Sequence, residues 1–424
     1  PSKNSGIKAM GSINYVNDLM QSRNADYIII TPESFYNNTK IKQLAEWRSQ
    51  YSGLDVAIVS YDKIYYTFGA GQRPDERIKA FMQHAYYYWK SASSLDGRIR
   101  YVLIIGDVEF IPTHISDNIS FGENIATDNW YACLSGDDEM PDVMIGRLPV
   151  KTINELNIMV DKIIQYEQNP VYSDWANNAL LVLGTVDYLG YDLITARDEY
   201  LIPSGFNVTE VSGLSGGTSG NVVSELNKGQ YILDYSGHGF IDGWEIFSSQ
   251  DIQRLKNDRM LPAIFSLACS TGYFDHPDRD SFAEAFVKAK NGAIAFFGGS
   301  RLVSPSSVGF ALSRAIAGSH LYTLGEIVIW TKLQLISNSN DLELYNLLGD
   351  PALDLGAPRR FPNMPDIVIT PIDISFKPEM PKQEETITIK VVINNFGAIS
   401  AQNVEVEFRD DGPEGLLIAK KTIP

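Results

Sequence analysis

The chain has 424 residues, of which 44% are hydrophobic and 11% aromatic. This length and composition can build the packed cores of two or three domains, which excludes an intrinsically disordered protein. Its 52 acidic residues exceed its 35 basic residues, and the net charge of −17 argues against nucleic acid or an anionic membrane as a partner. No stretch approaches the roughly 20 apolar residues of a membrane span, so we expect no membrane span.

The first part of the chain alternates apolar strands with helical segments. In chain order, the predicted elements are the strand Asp26–Thr31, the helix Ile41–Tyr51, the strand Leu54–Ser60, the helix Asp75–Trp89 and the strand Tyr101–Asp107. Strands that are apolar on both faces are typical of a parallel sheet with helices on each side. Residues 1–150 are therefore predicted to form an N-terminal α/β subdomain that supports the walls of a cleft.

The same alternation returns after a helix predicted at Ile153–Gln168, which ends before Pro170. Further apolar strands are predicted at Leu180–Leu183, Asn207–Val211, Tyr231–Asp234, Ala263–Ser266 and Ala293–Phe297. Residues 151–356 are therefore predicted to form a second α/β subdomain. Together the two subdomains predict an α/β sandwich with mostly parallel sheets.

The pattern changes after Gly356, where prolines separate segments that alternate in the β manner. Glu385–Asn394 and Asn403–Phe408 are predicted strands joined by a turn at Asn395–Ala398. Residues 357–424 are predicted to form an all-β, immunoglobulin-like sandwich, shorter than the roughly 100 residues usual for such a domain. Its expected role is spacing or attachment to a cell surface.

Two strands in the second subdomain each lead into a reactive side chain. The segment Tyr231–Gly239 contains His238, and the segment Ala263–Gly272 contains Cys269. Groups just beyond the carboxyl ends of parallel strands meet at one edge of the sheet, and Ser248–Lys256 is the candidate crossover helix between these two strands. A free thiol has a pKa of about 8.5, so a nearby imidazole is needed to activate it. The pair predicts a cysteine nucleophile with its base.

Gly239 lets the backbone approach a substrate closely, and its N–H and that of Cys269 are candidate oxyanion-hole donors. A cysteine after an apolar strand can also be a small buried hydrophobe, and a His-Gly pair can be a simple turn. Cys133 is expected to be such a buried residue, since a disulfide to Cys269 would remove the nucleophile. His276 is a rival base, but no strand precedes it.

These segments resemble the gingipain family of cysteine peptidases. The resemblance rests on Ser236–Gly239, Leu267–Gly272, Asp142–Pro149 and Leu348–Leu353, and it covers residues 1 to about 356. It implies a caspase-like α/β fold and an extracellular endopeptidase that forms an acyl-enzyme on Cys269. No cofactor is required for that chemistry, and the expected partners are protein or peptide substrates.

The resemblance also implies roles for residues around the pair. An acidic residue at the end of an earlier strand orients the histidine in gingipains, which makes Asp187 the candidate here. Asp192 is near the position of the aspartate that reads a basic P1 side chain, although it can equally cap a helix. Trp244 follows the histidine at a familiar spacing and is taken as a substrate-binding residue. The family's tryptophan over the pocket has no counterpart in Gly298–Pro305.

Two acidic loops raise the possibility of structural calcium, which gingipains bind. Ser135–Asp142 and Asp275–Asp280 each offer several carboxylates, the ligands that Ca²⁺ prefers, although acidic loops are more often simply solvated. Two alternative functions stay open. One is a surface-binding or adhesive protein that keeps the fold without turnover, and the other is a cysteine transpeptidase that transfers the acyl group to an amine.

Overall fold

The structure of the chain is a computed structural model. It describes residues 11–423 except 70, 92–96, 137, 305–307, 319–320, 336–338, 360–366, 370–373, 379–385, 396–399 and 410–414. The chain divides into two compact units, of which the larger ends at Arg359 and the smaller contains the C-terminal residues.

The strands are numbered in chain order over the described residues. They are β1 (Ile13–Tyr15), β2 (Tyr27–Thr31), β3 (Val56–Ser60), β4 (Tyr101–Ile105), β5 (His114–Ser120), β6 (Glu123–Thr127), β7 (Met144–Leu148), β8 (Asn178–Leu183), β9 (Asn207–Ser212), β10 (Ile232–Ser236), β11 (Gly239–Phe240), β12 (Gly243–Trp244), β13 (Phe247–Ser248), β14 (Ala263–Leu267), β15 (Ala295–Gly299), β16 (Tyr345–Leu348), β17 (Ile367–Val368), β18 (Ile374–Lys377), β19 (Thr388–Val391), β20 (Asn394–Asn395), β21 (Val404–Arg409) and β22 (Leu417–Ile423).

The α-helices are numbered in the same way. They are α1 (Glu33–Tyr36), α2 (Thr39–Tyr51), α3 (Tyr61–Thr67), α4 (Pro74–Tyr88), α5 (Ile153–Gln168), α6 (Tyr191–Ala196), α7 (Ser219–Asn227), α8 (Phe282–Lys288), α9 (Val308–Gly318), α10 (Leu324–Leu333) and α11 (Ser339–Leu344). The two helices predicted in the first half are confirmed as α2 and α4, and the helix predicted between the halves is confirmed as α5.

The larger unit is organised around one sheet. Among the described residues its strand order is β1-β3-β2-β4-β7-β16-β15-β14-β10-β8-β9. Neighbouring strands are parallel except β15 and β16, which are antiparallel. Strands β2, β3 and β4 are buried along their whole length, as the predicted continuous apolar runs require. The mixed α/β class with a mostly parallel sheet is therefore confirmed.

The two halves of this unit share that sheet. Strand β16 returns from the end of the second half and pairs with β7 of the first, with Leu348 opposite Arg147. Strands from residues 1–150 and from residues 151–356 therefore belong to one hydrogen-bonded sheet. Because β16 lies between β7 and β15, the strands of both halves form one continuous layer.

The prediction of a crossover helix at Ser248–Lys256 is wrong. The connection from β10 to β14 contains the short strands β11, β12 and β13 and a single 3-10 turn at Asp251–Arg254. The Asp251 carboxylate accepts hydrogen bonds from the N–H and hydroxyl of Ser248. Such local side-chain bonds compete with an α-helix, and they favour a tight turn here.

The C-terminal residues form antiparallel β pairs. Among the described residues β17 pairs with β20, β18 with β19, and β21 with β22. The all-β character is confirmed, whereas an immunoglobulin-like sandwich is not shown. The predicted turn at Asn395–Ala398 lies largely outside the described residues. None of the described helices is both long and apolar enough to cross a membrane.

Candidate active site

The register of two central strands places His238 and Cys269 at matching positions beyond the strand ends. Strands β10 and β14 are parallel neighbours, and their last paired residues are Ser236 and Leu267. His238 and Cys269 each come two residues after that pair. Because both strands run in the same direction, the two side chains start from matching positions at one edge of the sheet. The predicted neighbourhood of the two strands is confirmed.

Gly239 is the point at which the two loops touch. A Cβ atom on Gly239 would lie 2.5 Å from the carbonyl oxygen of Cys269 and 2.7 Å from the Cβ of Ala268. Both distances are shorter than a normal van der Waals contact, so only glycine fits at this position. The backbones of the His238 loop and the Cys269 loop are therefore packed directly against each other.

The Cys269 loop is braced by the loop that follows β15. The half-buried thiol of Cys269 has its Sγ atom 3.6 Å from the carbonyl oxygen of Val303. Ser270 has a φ of 54°, a left-handed conformation that is uncommon for a residue other than glycine. Its N–H donates to the carbonyl of Arg301 at 2.9 Å. This bond and the turn fix the direction in which the cysteine projects.

Arg301 links that brace to two other segments. Its buried guanidinium makes a bidentate ion pair with Asp275, at 2.7 and 2.6 Å. The Nε atom donates to the carbonyl of Asn124 in the β5–β6 hairpin, and the guanidinium lies over the Tyr273 ring. Bidentate pairs of this kind are among the strongest polar contacts in proteins. Arg301 therefore ties the Cys269 loop to a hairpin of the first half.

The His238 loop is held through its backbone while its side chain is exposed. The Tyr235 hydroxyl donates to the carbonyl oxygen of His238 at 2.7 Å. On the other side, the N–H of His238 donates to Glu245 Oε2 at 3.3 Å. Two independent contacts therefore fix this loop, and the imidazole stays open to the surface.

Glu245 lies on the turn that follows β12, and it also reaches the end of β8. Its carboxylate accepts from the N–H of Thr185 at 2.9 Å and from the Thr185 hydroxyl. Burial opposes ionisation of the Glu245 carboxyl, but these bonds, the N–H of His238 and the charge of His238 outweigh it and lower the pKa of Glu245. Sequence reasoning missed this residue, and its only signal was an acid immediately after Trp244.

The two predicted aspartates are placed as follows. Asp187 begins a 3-10 helix, Asp187–Gly190, directly after β8, but its side chain lies outside the described residues. Asp192 is exposed on the first turn of α6. The orienting role of Asp187 and the pocket role of Asp192 therefore stay predictions.

Trp244 is buried in this structure. Only 4% of its surface is exposed, its ring stacks on Tyr235 at 4.4 Å, and its Nε1–H donates to the Ser266 hydroxyl at 2.9 Å. Phe282 packs edge-on against the indole at 4.9 Å. These contacts are those of a packing residue, and the substrate-binding role of Trp244 stays a prediction.

Cys133 and His276, the other thiol and the rival base considered above, have contacts of their own. Both cysteines are free, as predicted, and burial raises the pKa of the Cys133 thiol to about 12. His276 uses its Nδ1 atom to accept from the N–H of Asp278 and contacts the Tyr273 ring. Cys133 is therefore a poor nucleophile at neutral pH, since the thiolate is the reactive form.

The acidic side chains best placed to share a cation are Asp107, Asp280 and Glu284, judged over the described residues. Lys288 and Lys151 already lie among them, with each Nζ about 3 Å from the Asp280 carboxylate. Two ammonium groups supply the positive charge that Ca²⁺ would bring, so this cluster does not fit the ion. Asp275, from the same predicted loop, is paired with Arg301. Calcium in the Ser135–Asp142 loop stays a prediction.

A thiol and an imidazole beyond the ends of two neighbouring parallel strands are an arrangement in which an imidazole can activate a cysteine nucleophile. The family model of peptidase family C25 matches residues 20–356. The chain belongs to peptidase family C25, and the resemblance to gingipains is thereby confirmed.

Individual relatives agree with this membership. The chain is 26% identical over 283 residues to gingipain R2 of Porphyromonas gingivalis strain W83, covering 64% of this chain and 35% of that protein. It is 25% identical over 231 residues to Lys-gingipain HG66 of the same species, covering 53% of this chain and 13% of that protein. The chain therefore spans about a third or less of the length of these relatives.

The fold has a counterpart among solved structures. The crystal structure of the Arg-specific cysteine proteinase gingipain R superimposes with a TM-score of 0.69 at 20% identity, over 97% of this chain and 91% of that one. The similarity confirms the gingipain fold for this chain.

Proposed function

We propose that the protein is a cysteine endopeptidase in which Cys269 is the nucleophile and His238 the general acid and base. The observation that carries this proposal is the direct packing of the two loops at Gly239, beyond paired strands of equal register. A peptidase of this kind needs a thiol, an imidazole and backbone N–H donors within reach of one carbonyl group. Family membership supports the same chemistry.

The proposed reaction runs through a thioester. The thiolate of Cys269 attacks the carbonyl carbon of the scissile bond, and the negative charge that forms on the carbonyl oxygen is stabilised by the N–H groups of Gly239 and Cys269. The imidazolium of His238 gives its proton to the leaving nitrogen as the C–N bond breaks. The imidazole then takes a proton from water, which attacks the thioester and releases the acid and the thiol.

We propose a basic P1 side chain, arginine or lysine, with Asp192 as its partner. The names of the relatives record Arg and Lys specificity for those proteins. Asp192 lies exposed on the first turn of α6, in the connection that leaves the neighbouring strand β8. A carboxylate that pairs with a guanidinium or ammonium would discriminate strongly against neutral side chains.

The test is cleavage of fluorogenic peptides varied at P1, under reducing conditions, with and without calcium. We expect cleavage after Arg or Lys, and a fall of at least about 1,000-fold in Cys269→Ala because the nucleophile is lost. The matched control is Cys133→Ala, which removes the other free thiol and should retain activity.

The other outcomes separate the alternatives. Cleavage after a residue other than Arg or Lys would support the mechanism on Cys269 and contradict the role of Asp192 as the partner of a basic P1 side chain. Ligated product on addition of an amine acceptor would identify a transpeptidase. No Cys269-dependent cleavage, even after limited proteolysis, would contradict the peptidase proposal and favour a binding protein on this scaffold.

We also propose that the protein acts outside the cell, with the β segments after Arg359 as spacing or attachment to the cell surface. The support is the resemblance to gingipains and the antiparallel β pairs at the C-terminus. Fractionation of the native host into cytoplasm, surface and medium tests this. Recovery of the protein only in the cytoplasm would contradict it.

A further inference from the structure

A carboxylate other than the predicted Asp187 is built into the His238 loop. Glu245 Oε2 lies between Gly184 and Gly237, so closely that a Cβ on Gly184 would come within 1.9 Å of it and a Cβ on Gly237 within 3.0 Å. Both loops therefore have glycine where a side chain would displace this oxygen. The carboxylate fills the space left between the end of β8 and the end of β10.

The contacts of Glu245 fix its position as well as its charge. Thr185 donates to both carboxylate oxygens, one through its N–H and one through its hydroxyl, and His238 donates through its N–H. The Glu245 N–H in turn lies 3.5 Å from the Tyr235 hydroxyl, which donates to the carbonyl of His238. The N–H of His238 is thus bonded to Glu245, and its carbonyl is bonded to Tyr235, which itself contacts Glu245.

The hydrogen bonds of Glu245 favour its charged form. The hydrogen bonds from Thr185 and His238 overcome the effect of burial and lower the pKa of Glu245, and the charge of His238 contributes to the same shift. The titratable groups that face the carboxylate are His238 and the Tyr235 hydroxyl, with Cys269 beyond the latter. An ionised carboxylate here favours a charged imidazolium over a neutral imidazole.

We propose that Glu245 is the positioning residue of His238: it holds the histidine loop in place and stabilises the imidazolium that pairs with the Cys269 thiolate. This proposal rests on the proposed function. It gives the role of orienting the histidine to Glu245, on the turn after β12, rather than to Asp187, which follows β8. Glu245 acts through His238 and has no contact with the reacting atoms.

The test is the pH dependence of alkylation of Cys269 by iodoacetamide in the full chain, followed by mass spectrometry of the Cys269 peptide. This readout needs no turnover, and it separates Cys269 from Cys133. A thiolate–imidazolium pair gives reactivity on the acid side of an ordinary thiol titration, near 8.5. In Glu245→Gln the imidazolium loses its counter-charge and the thiolate–imidazolium fraction shrinks, so we expect the rate on the acid limb, measured at pH 6, to fall up to about tenfold.

Three further variants sharpen the experiment. Glu46→Gln removes one exposed carboxylate from α2 and should leave the profile unchanged. Glu245→Asp keeps the charge and should restore much of the acid limb, which loss of loop structure alone would not allow. Asp187→Asn should shift the profile less than Glu245→Gln. Thermal melting of each variant identifies any protein that does not fold.

The outcomes separate this proposal from the one on which it rests. A wild-type profile with an acid limb that is identical in folded Glu245→Gln overturns the role of Glu245 and leaves the peptidase function standing. A larger shift in Asp187→Asn than in Glu245→Gln returns the role to Asp187. A wild-type Cys269 that titrates like a free thiol overturns the role of Glu245 in stabilising an ion pair, whereas the peptidase function is decided separately by Cys269-dependent cleavage.

Discussion

Gly239 is the residue on which contact between the His238 loop and the Cys269 loop depends. We expect Gly239→Ala to lower kcat/KM by about 100-fold, since the new Cβ would lie 2.5 Å from the Cys269 carbonyl and must push one loop away. Initial rates on the best fluorogenic peptide, with the melting temperature of the same sample, measure this effect.

The matched control for this change is Gly220→Ala. Gly220 lies in α7, and its Cβ would meet the nearest atom, on Thr218, at an ordinary 3.5 Å. Alanine is also a better helix former than glycine, so activity and stability should be retained or slightly raised. Equal activity in Gly239→Ala and Gly220→Ala would contradict the close packing of the loops.

At the scale of the element, β10 carries an unusual residue. Asp234 is buried between Leu181 of β8 and Phe265 of β14, and neither carboxylate oxygen has a hydrogen-bond partner among the described residues. Burial raises the pKa of Asp234 to about 7, from 3.8 in the unfolded chain. Between these values the folded state holds a proton that the unfolded state has lost, so this group makes stability fall as pH rises from about 4 to 7.

We therefore expect Asp234→Asn to remove that pH dependence. The variant, which cannot ionise, should gain up to about 4 kcal/mol relative to the native chain between pH 4 and pH 8, since each pKa unit corresponds to about 1.4 kcal/mol. Urea unfolding of both proteins at the two pH values measures the difference. A free-energy gap that stays constant across this range would show that Asp234 does not titrate in the folded state.

At the scale of the whole molecule, a buried ion network fastens distant parts of the larger unit. Arg48 of α2 is fully buried and pairs with Glu167 of α5 and with Asp350 after β16, at 2.8 Å in each case. The Tyr27 hydroxyl donates to the same Asp350. Partners that lie 119 and 302 residues away join both halves of the sheet.

We expect Arg48→Met to destabilise the protein by about 3 to 5 kcal/mol, because it leaves two buried carboxylates without a counter-charge. Lys42→Met is the matched control on the same helix, since its exposed pair with Glu46 contributes at most about 0.5 kcal/mol. Urea denaturation compares them. Similar losses in the two variants would mean that the buried network adds nothing beyond a surface pair.

Local patterns in the sequence were sufficient for the central strands of the sheet, for helices α2, α4 and α5, and for the positions of His238 and Cys269 after two strands. A strand buried on both faces is mostly apolar, so β2, β4, β8, β10 and β14 could be predicted from their runs of apolar residues. Cys269 and His238 were found because they are the first reactive groups after two such strands. These features depend on neighbours in the chain, which the sequence specifies directly.

The tertiary structure alone decided what meets across the chain. Trp244 proved to be a buried support, Glu245 proved to contact Thr185 sixty residues earlier, and β16 closed two halves into one sheet. Local periodicity carries no information on which turn folds back against which loop. The sequence by itself therefore determined the α/β fold class and placed His238 and Cys269 after two strands, whereas the contact between Glu245 and the His238 loop depends on packing between segments that are distant in sequence.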